Sequence, residues 1–224
     1  MSELKPVNDL GIALSQKQVE AFATFQDRLY AKNLVMNLTR VPKEECWERH
    51  FADSLTLCSL IPEAATVLDV GSGPGFPGIC LAIARKDISV TLLDSSGKAL
   101  HFARAILEEL AMAADIVEGR AEELAHEAHL RGSFDFVTGR AVAPLQIQAE
   151  ISSPFARIGG RFVSMRTPHD HACDFAEFGL KLLGEHRRRF GISERKLIEY
   201  EKVAAAPPEF PRPWAKIKRA QNGA

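Results

Sequence analysis

The chain has 224 residues, enough for one domain and an appendage, and its 46% apolar and 25% charged residues are typical of a globular protein. No apolar run approaches the ~20 residues that a membrane-spanning helix needs, and the N-terminus lacks a signal-peptide pattern. The four cysteines form no CxxC pair, which argues against a metal site or a disulfide framework and predicts a reduced, cytoplasmic protein.

The net charge of −1 conceals an uneven distribution. Residues 181–224 hold eleven Lys and Arg against five Glu, a net charge of +6, so the first 180 residues carry −7. A basic C-terminal segment on an acidic body suits contact with a polyanion, and a solvated tail explains the same charge equally well.

Two amphipathic helices are predicted at the start of the chain. Residues 16–34 place apolar side chains at three- and four-residue steps, and residues 43–60 do the same. Asn37, in the short connection between them, is typical of a turn or cap residue. We therefore expect an N-terminal helical extension over residues 1–64.

His50 and Asp53 lie three residues apart on the second predicted helix. That spacing allows them to meet on one face. We expect them to form a hydrogen bond on the helix surface that supports the neighbouring loop, and not to act in catalysis.

From residue 66 onward, short β-branched runs alternate with helical segments. Strands are predicted at residues 66–70, 88–94, 115–119, 134–138 and 159–165. This alternation predicts the α/β class, with a mostly parallel sheet and helices on both faces. Residues 185–203 have the pattern of an antiparallel pair, which often forms the edge of such a sheet. We expect a main domain over residues 65–206 and a basic, proline-rich coil over residues 207–224.

The first predicted strand runs into the alternating glycines Gly71, Gly73 and Gly75, and a helix is expected to begin near Pro77. Glycines allow a tight turn and let a ligand approach without interference from a Cβ atom. The carboxyl ends of parallel strands are where such ligands bind. Residues 73–78 match GxGxxG, the dinucleotide fingerprint, which is a weak signal by itself.

Three features favour S-adenosylmethionine over a dinucleotide. Asp69 is placed to meet the ammonium group of that cofactor, whereas it would repel a pyrophosphate. Pro74 and Pro77 remove two backbone donors from the loop that would bind a phosphate. The loop also lies well inside the chain, whereas dinucleotide folds often begin with it. Asp94, at the end of the second strand, suits the ribose hydroxyls of either cofactor.

The stretches DVGSGPGFPG, LLDSSGK, GRAEE and FDFVTGRAVAPL resemble those of the RsmG family, the bacterial 16S ribosomal RNA guanine-N7 methyltransferases also called glucose-inhibited division protein B. The resemblance covers about residues 16–166. It implies a Rossmann-like class I methyltransferase fold with S-adenosylmethionine as methyl donor. The implied partner is the small ribosomal subunit, with one guanine in the decoding-region loop as target and no obligatory protein partner.

The resemblance also implies cofactor contacts. Combined with the carboxylates and glycines argued above, the expected cofactor-binding set is Asp69, Gly71, Gly73, Phe76, Asp94, Ala121, Glu122 and Arg140. Arg140, at the end of the fourth strand, is also the candidate for orienting the target guanine. The structural alternative for Arg140 is an ion pair with Glu122 or Asp69. No metal site is expected.

Guanine N7 carries a free lone pair and no proton, so the protein mainly supplies alignment and needs no catalytic Cys, Lys or His. Phosphate contacts are expected from the basic residues Arg166, Arg187, Arg188, Arg189, Arg212, Lys216 and Lys218. Phe76 and Trp214 are candidates for stacking on an exposed base.

The chain departs from the family pattern at two places. Residues 165–167 read Met-Arg-Thr where the family usually has a Lys-Gly pair, and residues 211–215 differ from the family's Pro-Arg-x-x-Gly tail. These departures leave the mode of RNA binding open. Three alternative functions also remain: a methyltransferase for another RNA or a small molecule, an NAD-dependent oxidoreductase, and a non-catalytic RNA-binding module.

Overall fold

The computed structural model describes residues 3–222. Residues 1–2 and 223–224, at the ends of the expected extension and tail, lie outside the described residues. The strands are β1 Thr66–Val70, β2 Ser89–Asp94, β3 Asp115–Glu118, β4 Phe134–Arg140, β5 Ala156–Arg166, β6 Leu180–Phe190 and β7 Ser193–Lys202. The helices are α1 Lys5–Asp9, α2 Gln16–Met36, α3 Asp53–Leu55, α4 Gly78–Ala84, α5 Gly97–Glu109, α6 Ala121–Leu124, α7 Leu145–Ser152 and α8 Trp214–Asn222.

All seven strands lie in one sheet in the order β3-β2-β1-β4-β5-β7-β6. Strands β1 to β5 are parallel, and β7 is antiparallel to both β5 and β6. The predicted α/β class, the parallel sheet and its antiparallel edge are therefore confirmed. The strand order reverses between β1 and β4, which is the switch point at which α/β sheets bind ligands.

Successive residues of β1 point to opposite faces of the sheet, so each face has its own apolar core. Val67 packs with Phe22 and Phe51 of the N-terminal segment in one core. Leu68 packs with Ile147 of α7 and Ile217 of α8 in the other. Among the described helices, none is long and apolar enough to cross a membrane.

Helix α2 confirms the first predicted helix. It begins after Ser15, which forms a capping box with Gln18, and it ends at Asn37, whose φ of 51° gives the left-handed C-cap. The predicted role of Asn37 as a cap residue is therefore also confirmed.

The prediction of one continuous α-helix over residues 43–60 is wrong. Lys43–Glu45 is a 3₁₀ turn and Trp47–Ala52 is π-helical, followed by the short α3. The expected spacing assumed 3.6 residues per turn, whereas the wider π turn accompanies the burial of Trp47, His50 and Phe51 together.

The expected C-terminal coil is also wrong in part. The proline-rich stretch ends at Pro213, whose carbonyl accepts the amides of Lys216 and Ile217, and α8 follows. Ile217 is buried against the sheet while Lys216 and Lys218 are exposed. The prolines precede the helix and therefore do not interrupt it.

Candidate functional site

The glycine loop after β1 has the backbone that its glycines predict. Gly71, Gly73 and Gly75 have φ values of 70°, 53° and 112°, a region that favours glycine. A Cβ atom on Gly71 would lie 2.8 Å from Cγ2 of Val142. The Gly73 amide donates a 2.7 Å hydrogen bond to the Asp94 carboxylate, which ties the loop to the end of β2.

Asp69 lies beneath this loop, fully buried. Its Oδ2 accepts a 2.7 Å hydrogen bond from the Gly78 amide, while Oδ1 has no hydrogen-bond partner among the described residues. Burial raises the pKa of Asp69 to about 8, although the Gly78 amide and the charge of Arg140 act in the opposite direction. Asp69 therefore supports the loop through its hydrogen bond with Gly78. Its contact with a cofactor stays a prediction.

A cavity of about 330 Å³, here called the smaller cavity, opens above the loop. Its lining comes from the carboxyl ends of β1, β2 and β3, from the segment after β4, from α7 and from the tail: Val70, Gly71, Leu93, Asp94, Ser95, residues 119–122, residues 141–143, Ile151 and Trp214. Its size lies within the ~300–1,000 Å³ range of small-molecule sites.

Half of the expected cofactor-binding set lines the smaller cavity. Those residues are Gly71, Asp94, Ala121 and Glu122, whereas Asp69, Gly73, Phe76 and Arg140 lie outside its lining. Gly73 and Phe76 belong to the loop itself, Asp69 lies beneath it, and Arg140 ends β4. Contact of these four residues with a cofactor stays a prediction.

The polar groups of the smaller cavity suit a nucleoside. Asp94 accepts the amides of Gly73 and Ser96 at 2.7 Å, one on each oxygen, and each oxygen keeps a further lone pair for a ribose hydroxyl. Glu122 is buried, and its Oε1 accepts a 2.8 Å hydrogen bond from Nε of Arg120. The carboxylates and the aromatic ring of Trp214 therefore fit a ribose and a base.

A larger cavity of about 820 Å³ adjoins the smaller one. It is lined by the five arginines Arg40, Arg49, Arg140, Arg166 and Arg195, together with the acids Asp53, Asp170 and Glu194. The two cavities share Ala141 and Ala143, which directly follow β4. A molecule in one cavity therefore lies next to a molecule in the other.

Asp53 links two of these arginines. The carboxylate accepts hydrogen bonds from Nε and an Nη atom of Arg195 at 2.5 and 2.8 Å, and from an Nη atom of Arg140 at 3.0 Å. The alternative expectation, that Arg140 pairs with Glu122 or Asp69, is wrong, because the buried Asp53 carboxylate lies nearer to its guanidinium group. Arg140 is thereby fixed at the edge of the larger cavity.

His50 completes this network. An Nη atom of Arg140 lies 3.0 Å from Nδ1 of His50 and can only donate, so Nδ1 is the acceptor and Nε2–H donates to Oγ1 of Thr39 at 2.7 Å. Burial, together with the charge of Arg140, lowers the pKa of His50 to about 3, and the ring is neutral at neutral pH. The imidazole stacks on Phe76 of the glycine loop, with ring centroids 4.2 Å apart.

The expectation of a surface hydrogen bond between His50 and Asp53 is therefore wrong in its detail. Both residues are buried, and they are joined through Arg140 instead of directly. The expected support of the glycine loop is present, since the His50 ring packs on Phe76.

The expected RNA contacts are dispersed. Arg166 lines the larger cavity and donates to the Ala143 carbonyl at 2.8 Å. Arg187 and Arg189 both pair with Glu194, while Arg188 donates to Ser59.

Of the three tail residues in that set, Arg212 forms a two-pronged pair with the buried Glu150. Its guanidinium therefore anchors the tail to α7, and its contact with a phosphate stays a prediction. Lys216 and Lys218 are exposed on α8, outside the lining of the larger cavity. Their contact with RNA stays a prediction.

Sequence reasoning missed Arg195 and the role of Asp53. Arg195 is distant in sequence, and only the antiparallel pairing of β5 with β7, which aligns Arg166 with Lys196, brings it to the carboxyl end of β5. The one sequence signal that could have placed Arg195 was the predicted antiparallel edge, but the pattern does not give the register of its strands.

The comparisons with known proteins agree with this geometry. The family model "GidB: rRNA small subunit methyltransferase G" matches residues 18–177. A Lactobacillus delbrueckii subsp. bulgaricus protein named Ribosomal RNA small subunit methyltransferase G is 38% identical over 89% of both chains. A protein of the same name from Lachnoclostridium phytofermentans is 36% identical over 95% of this chain and 93% of its own.

Solved structures show the same fold at low identity. A Pyrococcus horikoshii protein, 14% identical, superposes with a TM-score of 0.54 over 77% of this chain and 98% of its own. A Bacillus halodurans protein described as a candidate methyltransferase, 15% identical, has a TM-score of 0.51 over 68% and 100%. The fold is the Rossmann-like class I methyltransferase fold. With the family model spanning most of the described sheet, the chain belongs to the GidB family, the ribosomal RNA small subunit methyltransferase G proteins.

Proposed function

We propose that the protein transfers a methyl group from S-adenosylmethionine to N7 of one guanine in the decoding-region loop of 16S ribosomal RNA. Its partner is the small ribosomal subunit, and it acts in the cytoplasm. The observation that carries this proposal is the meeting of two unlike cavities at Ala141 and Ala143. One suits a nucleoside, and the other is rich in arginine and suits a nucleotide of an RNA.

The smaller cavity is the proposed donor site. Gly71 lets the donor approach the end of β1, Asp94 accepts the ribose hydroxyls, and Ala121 and Glu122 adjoin the base. When bound, S-adenosylmethionine supplies a sulfonium methyl group, which N7 takes as the carbon–sulfur bond breaks and the thioether leaves. Phe76, within the loop, packs against the ring of His50, which holds the loop in shape.

The larger cavity is the proposed acceptor site. Arg140 and Arg195 present guanidinium groups that suit the O6 atom of guanine and the backbone phosphates. Asp53 holds both side chains in place, so that the charge is oriented before RNA arrives. Preorganised alignment of this kind is the main contribution that the reaction requires.

No general base is required, and the ionisable groups of the site agree. Both nitrogens of His50 are already hydrogen-bonded, and the carboxylate of Asp53 is held by two guanidinium groups. Burial raises the pKa of Cys46 and Cys58 to about 12, so neither thiol ionises at neutral pH. A mechanism through the thiolate of either residue is therefore disfavoured.

The test is methyl transfer from radiolabelled S-adenosylmethionine to small ribosomal subunits from a strain that lacks this gene. Mass spectrometry of the nucleosides should find 7-methylguanosine, and subunits from the parent strain should accept no label because their target is already methylated. Deproteinised 16S RNA, tested in parallel, shows whether the assembled subunit is needed. Label in any other nucleoside would contradict the proposal.

A further inference from the structure

The C-terminal tail is fastened to the body of the protein next to the smaller cavity. The Arg131 guanidinium donates to the carbonyls of Ala206, Pro207 and Phe210 in the tail, at 3.0, 3.2 and 2.9 Å. Ile217 of α8 is 2% exposed and lies in the apolar core beneath the sheet. These contacts fix where α8 begins.

Trp214 is the first residue of α8, and its side chain lines the smaller cavity. The Arg120 guanidinium lies 4.9 Å from the centroid of the indole, and its Nε donates to the buried Glu122. Glu122, Arg120 and Trp214 therefore form one continuous wall. The tryptophan, expected from sequence to stack on an RNA base, is placed at the donor cavity instead.

The order of the strands assigns this wall to one end of the donor. The smaller cavity crosses the carboxyl ends of β1, β2 and β3, which are neighbours in that order. The glycine loop follows β1 and Asp94 ends β2, so a ribose at Asp94 leaves the base beside the residues after β3. Those residues are Arg120, Ala121 and Glu122, against which Trp214 packs.

We infer that Trp214 is a donor-binding residue whose indole forms the wall for the adenine of S-adenosylmethionine, an inference that rests on the proposed function. An aromatic face against a nucleic-acid base contributes enough that alanine substitution typically weakens binding about 5- to 150-fold. The tail is on this basis a part of the donor site.

The test measures binding of S-adenosylhomocysteine and 5′-methylthioadenosine by calorimetry, without any activity assay. 5′-Methylthioadenosine keeps the adenine and ribose and lacks the amino acid. We expect Trp214→Ala to weaken both ligands by the same factor, about tenfold or more, because the lost contact is to the base. Trp214→Phe keeps an aromatic ring and should weaken them much less. Arg219→Ala, an exposed position on the same helix, is the matched control.

Fluorescence gives a second readout that loosening of the tail would not mimic. Trp47, the other tryptophan, is 5% exposed and packs among phenylalanines in the opposite core, so a change in emission on ligand binding should come from Trp214. We expect this change in the unsubstituted protein and in Arg219→Ala, and not in Trp214→Phe. A full change in Trp214→Phe would overturn the inference.

Two further outcomes would also overturn it. One is equal affinity of Trp214→Ala and Arg219→Ala for S-adenosylhomocysteine, and the other is a loss that spares 5′-methylthioadenosine. The proposed function fails by a different result, which is that the unsubstituted protein binds no S-adenosylhomocysteine at all.

Discussion

Replacement of Asp53 by asparagine should lower the free energy of unfolding by about 3 kcal/mol, because it leaves two arginines without their shared carboxylate. Asp53 is 1% exposed and accepts three hydrogen bonds from Arg140 and Arg195. Breaking a buried ion pair costs about 3–5 kcal/mol. We expect the lower end of this range, since both guanidinium groups line the larger cavity and can be solvated there once the carboxylate is lost. Domains of this kind have about 5–15 kcal/mol of stability, so the variant should still fold.

The assay is urea unfolding at pH 7.5, followed by circular dichroism. Glu109→Gln is the matched control, because Glu109 forms a similar two-pronged pair with Arg28 in which the side chains are 36% and 57% exposed. Exposed pairs contribute about 0–1 kcal/mol. If Asp53→Asn falls within 1 kcal/mol of the control, the reasoning about the buried network is refuted.

The same variant separates the two cavities. Asp53 lines the larger cavity and not the smaller one, so Asp53→Asn should reduce kcat/KM for small subunits by about tenfold or more while S-adenosylhomocysteine binds within about twofold of normal. A parallel loss of donor affinity would show that the network serves the donor site instead.

Three other changes test the site. His50→Gln should reduce the loss of unfolding free energy between pH 7.5 and pH 5 by about 2 kcal/mol. The unfolded histidine takes up a proton below about pH 6.5, whereas the folded ring, with its pKa of about 3, does not. Urea unfolding at the two pH values checks this, and an unchanged pH dependence contradicts it. Asp94→Ala should weaken S-adenosylhomocysteine about tenfold or more in calorimetry, since charge-assisted hydrogen bonds are lost, and unchanged affinity would remove Asp94 from the site. Arg140→Ala should lower methyl transfer to small subunits more than Lys218→Ala, which lies on α8 away from the larger cavity; the reverse order would refute the role of Arg140.

Comparison of His50→Gln with the unsubstituted protein separates the contribution of His50 to the pH dependence of stability from the opposing contribution of Asp69. Burial raises the pKa of Asp69 to about 8, so the folded state holds a proton that the unfolded state releases above about pH 4, and stability falls as pH rises toward 8. Asp69 contributes equally to both proteins, so its effect cancels when their slopes are compared.

The sheet could be predicted because each strand carries its own local signal. Thr66–Val70 matches its predicted range, and Asp115–Glu118 differs from its range by one residue. β-Branched residues and the glycine turn at the end of the first strand specify these elements without help from distant parts of the chain. The smaller cavity follows from the same signals, since Gly71 directly follows β1 and Asp94 ends the adjacent parallel strand β2.

The larger cavity could not be predicted in the same way. Its network joins Asp53, Arg140 and Arg195, which are separated by more than fifty residues at each step. The π-helical turn that buries His50 also has no periodic signature, because it departs from the 3.6-residue repeat on which the prediction depended. Tertiary packing, and not the local conformational preference of the residues, determines both the larger cavity and the π-helical turn.

These contacts bear on the division of the chain into an extension and a methyltransferase domain. A cut near residue 65 would remove Asp53 from Arg140 and Arg195, and it would take away the His50 ring that stacks on Phe76 of the glycine loop. The remaining residues include the whole lining of the smaller cavity but not the Asp53 carboxylate that fixes Arg140 and Arg195 at the larger cavity. We therefore propose that the N-terminal extension, as far as the structure describes it, folds as one unit with the sheet, because His50 joins Phe76 of the glycine loop to Arg140 and Asp53 joins Arg140 to Arg195.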